Sequence, residues 1–243
     1  MDRIGTAYWI EASDPPDSFP NPEFALDDND GLLAIGGDLS IPRLLAAYRK
    51  GIFPWYDSEW QPILWWSPNP RAVLFTEELH VSRSLRKTLR KNIFTVSIDR
   101  NFADVVERCA TTRSDTGTWI NPSLAVAYRK LHEIGYAHAV ETWANGELVG
   151  GLYGVNLGRV FYGESMFSVQ TDASKVALVY LVAICRELGV ELIDCQLASP
   201  HLASLGSRQI SRQTFQDYLR RYTDFPQRSG WARDEQGTAG LLA

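Results

Sequence analysis

Three polar residues stand in apolar surroundings, at positions where they could orient a reacting group. Glu164 lies among the aromatic and apolar residues of the segment 162–167, where a buried carboxylate would be costly without a partner. Asp194 and Gln196 are two residues apart in an apolar segment, so a β-strand would project both from one face. A carboxylate and an amide at the C-terminal end of a buried strand lie where the active sites of α/β-type sheets tend to gather. They can also be satisfied core polar groups, which is the commoner case for an isolated aspartate.

Five cations recur at helical spacing in one short segment. They are Arg83, Arg86, Lys87, Arg90 and Lys91. Val81, Leu85 and Leu89 fall on the opposite face, so the pattern predicts a helix that docks by its apolar side and exposes its basic side. Such a stripe is often only a solvated face. In a chain with a net charge of −5, however, a segregated basic patch indicates contact with phosphates.

Six aromatic residues occur within fourteen positions of a stretch that prolines interrupt. They are Phe53, Trp55, Tyr56, Trp60, Trp65 and Trp66. The prolines exclude one continuous helix or one central strand. Rings on a loop can stack a planar ligand such as a nucleobase, or they can fill a junction between domains. We expect most of the six to fill a junction and one or two to be left for a ligand.

Composition excludes several classes of protein. The N-terminus shows no apolar segment behind a basic start, and the longest apolar run, 176–185, is too short to span a bilayer. Three widely spaced cysteines indicate reduced thiols in a cytoplasmic protein, and the four histidines show no metal-ligand spacing. No nucleophile elbow, phosphate-binding glycine loop or zinc-protease motif is present. We therefore expect neither a metal nor a cofactor, no contact with a membrane and, by default, a monomer.

The elements that must position these residues follow from capping and periodicity signals. The predicted helices are 41–50, 82–91, a helix capped by Asp99 and ending near 110, 121–135, 173–188, a short one at 199 and 212–222. The predicted strands are 71–75, 94–98, 138–143, 147–155, 159–167 and 190–196, with a frayed tail beyond Pro226. This order predicts an α+β domain over residues 70–243, preceded by a small domain over residues 1–69.

Eight motifs in order carry a specific resemblance to a known family. They are DGLLAIGGDLS at 30–40, AYRKGIFPWY at 47–56, ILWWSPNPRAVL at 63–74, GTWI at 117–120, LVGGLYGV at 148–155, FYGESMF at 161–167, LIDCQ at 192–196 and HLASLG at 201–206. In them the chain resembles the leucyl/phenylalanyl-tRNA–protein transferases, bacterial enzymes of the N-degron pathway. One local departure is Asp30, where the family pattern has asparagine, and it puts no function in doubt.

The resemblance implies a GNAT-like (N-acetyltransferase fold) C-terminal domain. It also implies transfer of Leu or Phe, and less well Met, from aminoacyl-tRNA to proteins with an N-terminal Arg or Lys, which marks them for degradation. Ordinary GNAT enzymes hold the pyrophosphate of acyl-CoA with a glycine-containing turn. The corresponding stretch here, 170–175, has no glycine, which disfavours acyl-CoA as the donor.

The same resemblance assigns roles to single residues. Glu164, Asp194 and Gln196 match the polar residues of the reaction centre. Carried over in the same way, Trp55 and Trp119 hold the terminal adenine of the tRNA, with Tyr48 and Tyr128 in support, and Phe161, Met166 and Leu178 form the pocket for the donor side chain. We expect Asp194 to orient Gln196, and the basic stripe at 83–91 to contact tRNA phosphates. Trp65, Trp66, Phe53 and Trp60 are then expected to seal the domain junction.

Two other functions remain open on sequence alone. An acyl-CoA-dependent acyltransferase would need a phosphate-binding turn, which the stretch 170–175 does not provide. A non-catalytic module that binds RNA ends or N-degrons would keep the tryptophans and the basic stripe. Such a module would have no use for Asp194 beside Gln196.

Overall fold

The computed structural model describes residues 3–4, 7–26, 30–58, 60–112 and 120–242, which form two β-sheets and seven α-helices. The strands are β1 (Arg3–Ile4), β2 (Ala7–Ile10), β3 (Leu32–Gly36), β4 (Phe53–Pro54), β5 (Leu64–Trp66), β6 (Arg71–Phe75), β7 (Thr95–Ile98), β8 (Ala137–Ala144), β9 (Glu147–Leu157), β10 (Val160–Ser168), β11 (Leu192–Gln196), β12 (Arg208–Ile210) and β13 (Arg233–Gly237). The helices are α1 (Ile41–Arg49), α2 (Arg83–Arg90), α3 (Phe102–Thr111), α4 (Pro122–Glu133), α5 (Ala173–Leu188), α6 (Pro200–Ala203) and α7 (Arg212–Tyr222).

The smaller sheet belongs to the N-terminal part of the chain and the larger sheet to the rest. Over the described residues, the strand orders are β1-β2-β3-β5-β4 and β12-β6-β11-β10-β9-β8-β7-β13. Helices α3 and α4 contact one side of the larger sheet, and α5, wholly apolar in its middle, contacts β8, β9 and β10. The chain is thus a mixed α/β protein with an N-terminal and a C-terminal domain, as predicted.

Local signals explain why the central hairpin forms. Asn145 and Gly146 both adopt positive φ angles, of 53° and 79°, which is the conformation that a tight two-residue turn between antiparallel strands requires. A second local signal lies further along the chain, where Gly189 adopts a φ of 71° and ends α5. Both features were predicted from the residue types, and the structure confirms them.

Among the described residues, the larger sheet contains one parallel pair of strands, and this pair is interrupted. Strands β10 and β11 pair only from Val160 with Leu192 to Tyr162 with Asp194. Directly afterwards, the register of β10 against β9 shifts at 163–165, and that of β11 against β6 shifts at 194–196. Because both strands become irregular at the same level, the pairing between them stops there. Bulges of this kind redirect side chains.

The end of α1 is held against the larger sheet through carbonyl oxygens. The hydroxyl of Tyr162 donates to the carbonyl of Tyr48 at 2.8 Å, and Nη1 of Arg71 donates to that of Gly51 at 3.1 Å. A carbonyl buried at the end of a helix needs such a donor. The N-terminal domain is thereby attached at the level where β10 and β11 separate.

The predicted cap of the third helix is wrong. Asp99 has a φ of 61°, and its carboxylate accepts hydrogen bonds from Ala139 N at 2.9 Å and approaches Nδ1 of His138 at 2.7 Å. The helix begins only at Phe102, after Asn101. A long-range contact with β8 therefore uses the side chain that the local pattern assigned to a cap.

The predicted fraying beyond Pro226 is also wrong. Strand β13 pairs antiparallel with β7 at the edge of the larger sheet. Trp231 is 3% exposed, and its ring stacks on that of His138 with centroids 4.5 Å apart. Backbone pairing and one buried tryptophan fix a segment whose own residues show no apolar alternation.

Candidate active site

A cavity of about 490 Å³ opens where β10 and β11 separate. Its wall contains the three residues predicted for the donor pocket, Phe161, Met166 and Leu178, together with the three predicted for the reaction centre. The latter are Glu164, Asp194 and Gln196. Residues that are far apart in the chain thus share one recess with an apolar part and a polar part. This arrangement suits an apolar group attached to a polar reacting centre.

Glu164 is buried, and two tyrosines hold its carboxylate. The hydroxyls of Tyr48 and Tyr128 donate to Oε1 and Oε2 at 2.8 and 2.6 Å, and the two hydroxyls are 3.1 Å apart. Burial raises the pKa of Glu164 from 4.5 to about 7, although the two hydrogen bonds favour the charged form. Burial and the neighbouring Glu164 raise the pKa of both tyrosines, so they remain donors. A carboxyl group with a pKa near 7 can accept and release a proton at neutral pH.

The two tyrosines therefore have a contact that the sequence did not indicate. Tyr48 and Tyr128 were expected beside the adenine-binding tryptophans, and both are fully buried around Glu164 instead. Their positions on α1 and α4 bring two separate helices to one carboxylate. Whether they also support the adenosine stays a prediction.

Asp194 is fully buried and paired with an arginine that sequence reasoning missed. Nε and Nη2 of Arg71 donate to Oδ1 and Oδ2 of Asp194 at 2.8 and 2.6 Å. The guanidinium lies 4.9 Å from the ring centroid of Phe53 and 4.7 Å from that of Phe215. A bidentate pair between aromatic rings is a geometry that arginine can adopt and lysine cannot. An arginine at the start of an apolar strand was the one available signal.

Gln196 takes its position from Asp194 and from an unusual backbone conformation. Its N–H donates to Oδ1 of Asp194 at 2.9 Å, and its φ is 61°. This conformation costs a residue other than glycine about 1–3 kcal/mol, and such strain is often found at functional sites. The strand alternation that predicted a shared face is interrupted between the two residues, so that reason was wrong. Both side chains nevertheless line the cavity.

The aromatic run divides differently from the prediction. Trp65 is fully buried, and its Nε1 donates to the carbonyl of Gly36 at 2.8 Å. Trp55 is half-buried, with its ring centroid 5.6 Å from that of Trp66. Trp60 is 97% exposed, so its expected place in the domain junction is wrong.

The predicted adenine-binding pair is only partly visible. Trp119 lies outside the described residues. Over the part of the chain that the structure describes, Trp55 does not contribute to the wall of the cavity. Its half-buried ring lies on the N-terminal domain, in the loop that follows β4.

The basic stripe forms the outer face of α2, as predicted. Ser82 caps this helix by accepting a hydrogen bond from Leu85 N at 3.2 Å, and the side chains of Leu85 and Leu89 are buried. The exposed cations are Arg83, Arg86, Lys87, Arg90 and Lys91. Within residues 60–112 and the other described ranges, none of the five forms an ion pair. Their positive charge is therefore available to an outside partner.

Two further classes of site are absent from the described residues. Among them, no cluster of three histidine, cysteine or acidic side chains could hold a metal ion. Nor does any helix in those ranges have both the length and the apolarity needed to cross a membrane.

By fold and site, this is an α/β protein in which an apolar group would bind beside two buried carboxylates. The model of the leucyl/phenylalanyl-tRNA protein transferase family matches residues 73–220, and that of the family's N-terminal domain matches residues 37–69. The chain belongs to the leucyl/phenylalanyl-tRNA–protein transferase family. It is therefore an enzyme that transfers an aminoacyl group from tRNA to proteins.

Curated relatives cover most of the chain. A leucyl/phenylalanyl-tRNA–protein transferase of Syntrophobacter fumaroxidans is 62% identical over 80% of this chain and 83% of its own length. One of Azotobacter vinelandii is 56% identical over 88% of this chain and 95% of its own. Among solved structures, L-PGS from Bacillus licheniformis is 12% identical, with a TM-score of 0.41, over 55% of this chain and 49% of that one. A structural likeness this distant supports no conclusion about function.

Proposed function

We propose that this enzyme moves Leu or Phe, and less well Met, from aminoacyl-tRNA to the N-terminal Arg or Lys of acceptor proteins. The transfer would mark those proteins for degradation. The enzyme would act in the cytoplasm as a monomer. The observation that carries the proposal is that one cavity is lined both by the apolar residues Phe161, Met166 and Leu178 and by the polar residues Glu164 and Gln196. The apolar wall would receive the Leu or Phe side chain, and its ester carbonyl would then lie beside the polar groups.

The fold assignment and the domain boundary are part of this proposal. An N-acetyltransferase fold for residues 70–243 is supported by the strand order β7-β8-β9-β10-β11 and by the short parallel pairing of β10 with β11. A boundary at residue 69 is supported by the sheets, because β5 of the smaller sheet ends at Trp66 and β6 of the larger one begins at Arg71.

The chemistry needs little activation, because the donor is already an ester. The α-amine of the acceptor, with an ordinary pKa of about 8, attacks the ester carbonyl carbon. Glu164 accepts a proton from the amine and returns one to the ribose oxygen as the carbon–oxygen bond breaks. Gln196 holds the carbonyl oxygen or the amine while charge develops. The guanidinium of Arg71 pairs with both oxygens of Asp194, and the N–H of Gln196 binds one of them, so Asp194 acts by positioning these groups.

The tRNA would be held outside the cavity. Trp55 and Trp119 would stack on the terminal adenine, which is typical of aromatic side chains that bind single-stranded ends. The exposed cations of α2 would contact phosphates. Acyl-CoA is disfavoured as the donor because Asp172 places a carboxylate at the start of α5, where Lys175 and Thr88 bind it at 3.1 and 3.0 Å. A pyrophosphate would be repelled there.

The deciding experiment measures transfer directly. Purified protein is mixed with radiolabelled Leu-tRNA and a peptide that begins with Arg, and label is followed into the peptide. A matched peptide that begins with Asp serves as the control and is expected to stay unlabelled. Folded protein that labels neither peptide would contradict the proposal, and tight binding of acetyl-CoA by calorimetry would favour an ordinary acetyltransferase instead.

Neutralising two cations of α2 is expected to weaken tRNA binding and to reduce its salt dependence. In Arg86→Gln/Lys87→Gln, loss of two phosphate contacts would lower the slope of log affinity against log salt by about 1.5. The rate of transfer from bound tRNA should be unchanged. Binding is measured by filter retention between low and physiological salt.

The control is an identical pair on another helix. Arg129 and Lys130 are also adjacent and exposed, on α4. Arg129→Gln/Lys130→Gln removes the same net charge, so it reports the general electrostatic effect. Equal changes of slope in the two double variants would refute a phosphate-binding role for α2.

A further inference from the structure

Arg71 connects the N-terminal domain with the reaction centre. Two of its nitrogens bind Asp194, and Nη1 donates to the carbonyl of Gly51 just after α1. The guanidinium is 1% exposed and lies between the rings of Phe53 and Phe215. These contacts fix the position of the guanidinium, and the guanidinium in turn orients the carboxylate of Asp194.

The carboxylate passes this geometry on to Gln196. Oδ1 of Asp194 accepts from Nε of Arg71 and from the N–H of Gln196, while Oδ2 accepts from Nη2 of Arg71. The N–H of Gln196 belongs to a residue with left-handed φ, a conformation that needs external support. If Asp194 rotated, this N–H would lose its acceptor, and the left-handed backbone would lose that support.

Stability alone does not explain a buried pair of this kind. Apolar residues of similar volume often replace a buried ion pair without loss of stability. The rings of Phe53 and Phe215 and the hydrogen bond to Gly51 hold the guanidinium of Arg71 rigidly, and its burial keeps it away from a substrate. The contacts of Arg71 therefore indicate a role in geometry.

We propose that Arg71 is a positioning residue for aminoacyl transfer. It holds Asp194 in the one orientation that places the Gln196 side chain at the cavity, and it links this orientation to the end of α1. This inference rests on the proposed role of Gln196. Arg71 acts through Asp194 and Gln196 and touches neither the tRNA nor the acceptor.

The test is a double-mutant cycle in single-turnover transfer with Leu-tRNA and the Arg peptide. Arg71→Lys keeps the charge but loses the bidentate geometry, and we expect transfer to slow about 10- to 100-fold with KM for tRNA unchanged. In a Gln196→Ala background, the same substitution should slow transfer less than about 3-fold further, because both changes act on one group. A purely structural role would give the same factor in both backgrounds and would overturn the proposal.

Arg43→Lys is the matched control. Arg43 is an equally buried arginine that binds Asp38 at 3.0 Å, and its other contacts are carbonyls of the N-terminal segment. Its substitution should leave transfer per folded molecule unchanged. If Arg71→Lys does not fold, Phe215→Leu is used in its place, because it removes one of the rings that pack against the guanidinium and leaves Arg71 itself intact. The same double-mutant cycle with Gln196→Ala is then measured. A Gln196→Ala variant with normal transfer would refute the proposed role of Gln196, whereas slow Gln196→Ala with normal Arg71→Lys would refute this inference alone.

Discussion

Replacing Glu164 with glutamine is expected to slow single-turnover transfer about 100-fold and to remove a step near pH 7 from its pH profile. The carboxyl has a pKa of about 7 because it is buried, and it must lose its proton before it can accept one from the amine. Transfer by the wild-type enzyme should therefore rise with pH through about 7. Glutamine keeps the shape of the side chain but accepts no proton, so only the rise caused by the amine, near pH 8, should remain.

The same substitution should change how stability depends on pH. Because the pKa of Glu164 in the folded state is above 4.5, the folded state binds more protons than the unfolded one between pH 4.5 and 7. The free energy of unfolding of the wild type should therefore fall by about 3 kcal/mol as the pH rises across this interval. Glu164→Gln should lose this slope and be more stable than the wild type at pH 8. Urea unfolding at several pH values measures it.

Glu141→Gln provides the control for the pH profile of transfer. Glu141 is a buried carboxyl on β8 whose pKa burial also raises, and it accepts hydrogen bonds from Ser97 at 2.6 Å and Asn101 N at 2.9 Å. Ser97 lies on β7 and Asn101 directly precedes α3, and neither residue lines the cavity. This variant should keep the wild-type pH profile of transfer. An unchanged profile in Glu164→Gln as well would remove Glu164 from proton transfer.

Elements with strong local signals were predictable to the residue. The strand Arg71–Phe75 and the helices Ala173–Leu188 and Arg212–Tyr222 have the predicted bounds. Each has a capping residue, a glycine stop or a clear apolar pattern in its own sequence. The donor-pocket residues were carried over from a family resemblance, and the structure brings them together in one cavity.

The remaining features depend on partners that are distant in the chain. Arg71 and Asp194 are 123 residues apart, and Tyr48 and Glu164 are 116 apart, so no window of sequence contains either pair. The six aromatic residues between 53 and 66 looked alike because residue type does not reveal burial. Only tertiary packing separates the fully buried Trp65 from the exposed Trp60.

Replacing Asp194 with alanine is expected to lower the free energy of unfolding by about 3–5 kcal/mol. The substitution leaves the guanidinium of Arg71 buried without its counter-charge and the N–H of Gln196 without its acceptor. Against a total of about 5–15 kcal/mol, such a loss brings the protein close to unfolding. Urea unfolding at low temperature measures it. Asp38→Ala should cost less, since Asp38 is partly exposed and Arg43 keeps its carbonyl partners.

A second substitution separates the stability of the pair from its effect on transfer. In Asp194→Ala/Arg71→Met no buried charge is left unpaired, so most of the lost stability should return. Transfer should stay about 100-fold slow, because the N–H of Gln196 still has no acceptor to fix its conformation. Recovery of both stability and transfer would show that the pair serves the fold alone. Near-wild-type transfer in both Asp194→Ala and Gln196→Ala would contradict the roles assigned to these two residues.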